Sequence, residues 1–188
     1  MAITLTKPKN VTGRKKLVKP DIDALVNQHW NRICWVIYKL VGDWDEVQDI
    51  ALETFLQLHQ NPPKHEENLQ GWLYRVASNR GLNALRSRGR RIHYEDQTVL
   101  SDNLETGSDD PAEIIERAQE RDQVRAVLSA IHPRSAQLLA LRYSGLTYAE
   151  LAAVLGVSKN SVGTLLGRAE NEFEKAYIEQ DSARKEEQ

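Results

Sequence analysis

Cysteine is nearly missing from this chain: Cys34 is the sole example among 188 residues. One thiol excludes an internal disulfide and suits a reducing compartment. Phenylalanine is scarce as well, with two residues, so a core must be built mainly from Leu, Ile, Val and Ala. Long apolar runs are missing too. The longest clean one, Ile33 to Tyr38, falls far short of the ~20 residues a membrane helix needs. The N-terminus is basic but no apolar stretch follows it at once, which is unlike a secretory signal. Strand-like alternation of useful length does not occur. The five histidines, His29, His59, His65, His93 and His132, are scattered and make no recognisable metal or catalytic site, so no cofactor and no metal are expected.

What is present is charge in blocks. The formal net charge of −2 says little about partners, but its distribution is uneven. Lys7 to Lys19 holds six basic residues and no acid; Arg75 to Arg91 holds six arginines and no acid; Tyr94 to Glu116 holds eight acids and no base. Residues 1–20 lack periodicity and read as a basic flexible tail. Asp21 or Asp23 then caps a helix to about Val41, stopped by Gly42. A second helix runs from about Trp44 to Gln60 and is halted by Pro62-Pro63; a third starts near Asn68 and continues into the arginine block. Ile92 to Asp110 is polar, acidic and aperiodic, the composition of a linker. Helical patterns resume over Pro111 to about Ala130, Pro133 to Tyr143, Thr147 to Leu155 and Ser158 to about Ile178. The expected fold is all-α: two small helical domains, 21–93 and 112–180, joined by an acidic linker over 94–111 and followed by a charged tail over 181–188.

The segment "YAELAAVLGVSKNSVGTLLGRAENEF" carries the signs of a helix-turn-helix. Thr147 and Ser158 are good N-caps, Glu150 completes a capping box with Thr147, and Gly156 sits where the first helix must stop in a left-handed conformation. At 100° per residue, Val162, Leu165, Leu166, Ala169 and Phe173 fall on one side of the second helix. Asn160, Ser161, Thr164, Arg168 and Asn171 fall on the other, and these are side chains suited to base edges and phosphates. A plain helical hairpin with a solvated outer face has the same spacing. Gly163 and Gly167, each costing about 1 kcal/mol against alanine in a helix, favour a face that a backbone approaches closely.

"GWLYRVASNRGLNALRSRGRR" projects Leu73, Tyr74, Ala77, Gly81, Ala84 and Leu85 to one side, and Trp72, Arg75, Asn79, Asn83 and Arg86 to the other. Arginines neutralise phosphates, asparagines pair with base edges and a tryptophan stacks on an unpaired base. The competing reading is a solvated basic helix with a half-buried tryptophan. "DWDEVQDIALETFLQLHQ" places Val47, Ile50, Ala51, Phe55 and Leu58 on a core face. Asp45, Glu46, Asp49 and Glu53 form an acidic arc on the far side, with Leu52 and Leu56 at its edge. Leucines beside acids suit a protein partner with basic and apolar groups; a neighbouring helix that covers the leucines is the alternative.

Taken in order, these segments resemble the extracytoplasmic-function group of bacterial RNA polymerase sigma factors, over about Asp21 to Tyr177. "DEVQDIALETF" is similar to the family stretch E-D-L-x-Q-E-x-F, which grips the clamp coiled coil of core polymerase, with Leu52 at a position usually held by glutamine. "GWLYRVASNRGLNALRSRGRR" is similar to W-L-x-x-I-A-x-N-x-x-x-D-x-x-R, which holds and opens the minus-ten element. "IHPRSAQLLALRYSGLTYAELAAVLGVSKNSVGTLLGRA" resembles the minus-thirty-five-binding domain. The resemblance implies a non-enzymatic, cytoplasmic initiation factor that binds core polymerase through the clamp coiled coil and flap, recruits it to promoter DNA and nucleates melting. It implies polymerase contacts at Asp45, Glu46, Asp49, Leu52, Glu53 and Leu56. Minus-ten contacts fall at Lys64, His65, Asn68, Trp72, Arg75, Asn79, Arg80, Asn83 and Arg86, the first three in the base-capturing loop "NPPKHEENLQ". Minus-thirty-five contacts fall at Ser158, Lys159, Asn160, Ser161, Thr164 and Arg168. An anti-sigma factor is a further implied partner, and no membrane contact is expected. The acidic linker would thread the RNA exit path, its carboxylates standing in for phosphates. Two other readings stay open: a polymerase-independent helix-turn-helix regulator, and a helical adaptor without a nucleic-acid role.

Overall fold

The computed structural model describes residues 21–63, 68–94 and 111–186. Among these residues there are seven helices and no strand: α1 (Ile22–Val41), α2 (Trp44–Gln60), α3 (Leu69–Tyr94), α4 (Pro111–Ala130), α5 (Pro133–Tyr143), α6 (Tyr148–Leu155) and α7 (Lys159–Glu186). The expected basic tail, the base-capturing residues Lys64 and His65, and most of the expected linker lie outside the described residues.

Each helix starts and stops where local chemistry directs it. The Asp21 carboxylate accepts the Ala24 N–H at 3.1 Å, and Asp43 accepts that of Glu46 at 3.0 Å. Both satisfy donors that the first helical turn leaves free and place negative charge at the positive helix end. Gly42 ends α1 with φ +81°, its N–H bonded to Tyr38 O at 2.8 Å. A second, long-range demand acts on the same glycine. A Cβ there would lie 2.3 Å from Cζ of Arg125, whose guanidinium from α4 covers the end of α1. Arg88 from α3 also donates to Val41 O at 3.2 Å, so two cations sit at the negative end of this helix.

α1, α2 and α3 pack into one bundle around Ile33, Ile37, Leu40, Val47, Ala51, Leu58, Leu73, Tyr74 and Ala77, all fully buried. Full burial of each large aliphatic side chain is worth about 1.5–3 kcal/mol. Trp44 stacks on Tyr38 at 4.7 Å and meets Trp35 edge-on at 5.5 Å, closing the end of the bundle. The remaining helices gather on α7, which α4, α5 and α6 all contact. Their core holds Val127, Leu138, Leu141, Leu146, Leu151, Val154, Val162, Leu166 and Ala169. Glu172 of α7 braces the start of α5, accepting from His132 N–H at 2.7 Å and from the Ser135 hydroxyl at 2.6 Å. Those bonds hold its carboxyl below the usual carboxylate range.

The sequence-derived boundaries shift in two places. α3 extends to Tyr94, so Ile92, His93 and Tyr94, expected to open the linker, are helical. α7 continues to Glu186, through most of the stretch expected to be a charged tail. Its late turns contain no glycine or proline to stop them, and Lys185 pairs with Asp181 one turn back at 2.7 Å. The two helical groups do not stand apart. α3 packs against α4, α5 and α6, α1 packs against α4 and α5, and the buried apolar residues of both form one continuous cluster.

Candidate polymerase and promoter interfaces

On α2 the core face is as the 3.6-residue period dictates: Val47, Ile50, Ala51, Phe55 and Leu58 are buried. Thr54 joins them, its hydroxyl bonded back to Ile50 O at 2.8 Å, a burial the apolar pattern does not reveal. On the far side Asp45, Asp49 and Glu53 are exposed and Glu46 is half-buried. Leu52 and Leu56 are 61% and 48% exposed, so no helix of the described residues covers them. Glu53 carries an ion pair with Arg80 of α3, and Gln57 accepts a second bond from the same guanidinium at 2.9 Å.

α3 buries Leu73, Tyr74, Ala77, Gly81 and Leu85, and also Ser78 and Leu82, while Ala84 is half-buried. The Ser78 hydroxyl is satisfied by Tyr74 O at 2.6 Å, which lets a polar side chain sit in the core. The expected outward residues separate into groups. Asn83 is exposed. Trp72 is half-buried and packs on the core, so it supplies stability as well as any surface role. Asn68 is an N-cap: its side-chain oxygen accepts the Gly71 N–H at 2.8 Å. Arg80 faces α2, as described. Arg75, Asn79 and Arg86 are engaged by the C-terminal helices. Arg75 donates to Val154 O at 3.4 Å, and Arg86 donates to Ser129 O at 3.3 Å and Ile131 O at 2.9 Å. Asn79 accepts from the Gln137 amide at 2.9 Å.

The helix-turn-helix forms as its capping residues require. The Thr147–Glu150 capping box is complete, Gly156 adopts φ +65°, and the Ser158 hydroxyl accepts the Ser161 N–H at 3.2 Å. Val162, Leu166 and Ala169 are buried, with Leu165 and Phe173 half-buried. Ser158, Lys159, Asn160, Ser161, Thr164 and Arg168 are all exposed. Nothing lies within 4 Å of a Cβ built on Gly167, and only the Tyr148 ring, at 3.9 Å, approaches one on Gly163. Internal packing therefore does not require either glycine.

Comparison with known proteins follows the same division of the chain. Residues 25–91 match the family model for sigma-70 region 2, and residues 121–172 match that for sigma-70 region 4. The RNA polymerase sigma-H factor of Pseudomonas aeruginosa is 31% identical over 172 residues, which span 84% of this chain and 86% of that one. This chain belongs to the extracytoplasmic-function RNA polymerase sigma factors. The ECF sigma factor SigE of Mycolicibacterium smegmatis is 28% identical over 82% of this chain, which spans 60% of that relative's length. Two solved structures share the fold. RpoE of Bartonella quintana, in complex with the anti-sigma factor NepR, superposes with a TM-score of 0.51 at 18% identity, over 85% of this chain and 97% of that one. CnrH, in complex with the cytosolic domain of CnrY, gives 0.52 at 21% identity, over 85% and 88%.

In this sigma factor, region 2 comprises α1 to α3 and region 4 lies within α4 to α7. Side chains that sequence patterns did not single out join the two. Arg32 of α1 reaches Glu150 of α6, Nη1 to Oε1 at 2.8 Å and Nη2 to Oε2 at 3.3 Å, and donates also to Gly145 O at 3.2 Å. Burial disfavours the charged Glu150 carboxylate, but bonds from Thr147 and Arg32 outweigh it and hold the group below its ordinary range. Gln137 is 8% exposed, and its amide reaches Ser78 Oγ at 2.8 Å as well as Asn79. The one available signal for Gln137 is that it interrupts an otherwise apolar face in "SAQLLAL". Among the described residues no His, Cys, Asp or Glu group could hold a metal, and no helix is long and apolar enough to cross a membrane.

Proposed function

We propose that this sigma factor binds core RNA polymerase, directs it to promoters and nucleates strand separation, acting in the cytoplasm without a catalytic step of its own. The observation that carries the polymerase reading is the pair Leu52 and Leu56, uncovered beside Asp45, Glu46, Asp49 and Glu53. Apolar groups ringed by acids fit a partner helix with basic and apolar side chains, here the clamp coiled coil. Ser158 at the start of the recognition helix α7, with the exposed residues of that helix from Lys159 to Arg168, reads the minus-thirty-five region while that domain rests on the flap. The α3 face, with Trp72, Arg75, Asn79, Arg80, Asn83 and Arg86, takes the minus-ten strand, and residues 64–68 capture an unpaired base. The acidic linker 94–111 occupies a positively charged RNA path. One fold relative is bound to the anti-sigma factor NepR and the other to the cytosolic domain of CnrY, which supports an anti-sigma factor as a partner class for this chain.

Copurification with core polymerase followed by run-off transcription tests the reading. Promoter-dependent transcripts that need both components are expected. A chain that binds promoter DNA by itself and leaves polymerase behind would instead be a polymerase-independent regulator.

A further inference from the structure

The open face of α2 has neither a cover nor enough counter-charge. Leu52 and Leu56 are exposed, and Asp45, Asp49 and Glu53 follow one another at four-residue intervals along the same side. Like charges at that spacing repel one another. Glu53 holds Arg80, but among the described residues no ion pair engages Asp45, Glu46 or Asp49. What this face lacks, the chain carries elsewhere. Six basic residues and no acid lie between Lys7 and Lys19, with Leu17 and Val18 among them. Residues 1–20 lie outside the described residues and join them at Asp21.

The fold sets where that segment is delivered. Tyr38 stacks on Trp44 and Trp30 stacks on Phe55 at 5.9 Å, so α1 and α2 run antiparallel across Gly42 and Asp43. The first turn of α1 therefore lies beside the last turns of α2, close to Leu56. We propose that the basic N-terminal segment lies back along the open face of α2 in the free chain, Leu17 and Val18 against Leu56 and Leu52 and its cations along Glu53, Asp49 and Asp45, so that core polymerase must displace it to bind. Reach is sufficient. Glu53 is about 10 Å and Asp45 about 23 Å from the end of α2 along its axis. Lys16 can extend about 17 Å from Asp21, and Lys7 about 46 Å. The segment has the basic and apolar make-up that the acidic arc asks of the clamp helix, so the two compete for one surface. Each exposed ion pair is weak alone, which suits a cover that has to be displaced. Attachment offsets that weakness. At an effective concentration of about 1 mM, a contact with a dissociation constant of about 0.25 mM is closed about four-fifths of the time. Apparent affinity for polymerase then falls about fivefold. The inference rests on the assignment of α2 as the polymerase-binding face.

The test uses the full chain, with Lys7, Lys9, Arg14, Lys15, Lys16 and Lys19 all changed to Gln as the variant. Carbodiimide coupling joins an amine only to a carboxylate it touches. In the wild-type monomer it should link Lys15, Lys16 or Lys19 to Asp49 or Glu53. The links should fade at about 1 M salt, where charges are screened beyond about 3 Å. The variant should bind core polymerase about fivefold tighter at low salt. Links missing from the monomer overturn the proposal, as do links found only in dimers, where the segment reaches a second copy. Polymerase affinity that is unchanged or weaker in the variant overturns the competition. If affinity for a mixed-sequence duplex 30-mer drops at the same time, the segment is a DNA-binding arm instead. Asp49→Asn with Leu52→Ala, made in the variant, isolates the underlying assignment, because no basic segment then competes. It should weaken polymerase binding about tenfold, as loss of interface anchors does. No weakening removes the polymerase assignment of α2 and the competition with it, whereas the coupling pattern alone decides whether the segment lies on α2.

Discussion

Asp49 and Leu52 lie one turn apart on the open side of α2, and neither side chain is needed by the core. Changing Asp49 to Lys together with Leu52 to Ala should therefore leave the melting temperature nearly unchanged while weakening core-polymerase binding about tenfold or more, since a few exposed anchors dominate such interfaces. A titration against core polymerase alongside a melting curve measures both. Glu53 is the poorer choice for charge reversal, because it also holds Arg80. His29 illustrates a different residue-scale effect. It is buried, edge-on to Tyr74 at 6.1 Å, and burial, with Arg32 nearby, lowers its pKa from the ordinary 6.5. The unfolded chain then binds a proton that the folded chain refuses. The stability contribution is complete above pH 6.5 and declines as pH falls below it toward the folded value. Urea midpoints compared at about pH 7.5 and about pH 5.5 should show that loss, and His29→Gln should remove the part due to this residue. The depressed Glu150 and Glu172 carboxyls act in a separate window, below their ordinary 4.5.

Among elements, α7 does two jobs along one length. Its buried side organises region 4, and its exposed side presents Asn160, Ser161, Thr164 and Arg168. Run-off transcription over a promoter library randomised at minus thirty-five should show Asn160→Ala and Thr164→Ala shifting the preferred sequence. Lys159→Ala should weaken all promoters alike, as loss of a phosphate contact does. Gly167 tests why a helix keeps so poor a helix former. A Cβ there meets nothing, so Gly167→Ala should stabilise the chain by up to about 1 kcal/mol in urea unfolding. If DNA approaches closely, the same change should lower minus-thirty-five-dependent transcription. Elements were the most legible scale in the sequence. Asp21, Gly42, Thr147, Glu150, Gly156 and Ser158 act on donors and acceptors a few residues away, so a linear reading finds them. The polar arc of α3 was legible as an arc but not by what it meets. Arg75, Asn79 and Arg86 satisfy the same periodicity whether they face DNA, water or the carbonyls of another helix. Arg125 over Gly42 is likewise a meeting of residues far apart in the chain, and no local pattern encodes it.

As a whole molecule, the sigma factor buries one continuous apolar cluster across both halves. If the halves stay docked, calorimetry should record a single cooperative unfolding transition. The Arg32→Ala, Gln137→Ala chain loses polar bonds between the halves but keeps that cluster, so its transition should move to lower temperature and stay single. Glu150 sets the character of any opening motion. Its Oε2 receives Thr147 N–H at 2.7 Å and the Thr147 hydroxyl at 2.8 Å, while its Oε1 receives the shorter of the Arg32 bonds and the Gln70 amide. Breaking the contact with α1 hands Oε1 to water and leaves the cap of α6 intact. If the two halves separate, the helix-turn-helix accordingly keeps its own cap and has no turn to refold. Such a separation would be a hinge movement, on the microsecond-to-millisecond scale of domain motions, rather than a refolding event.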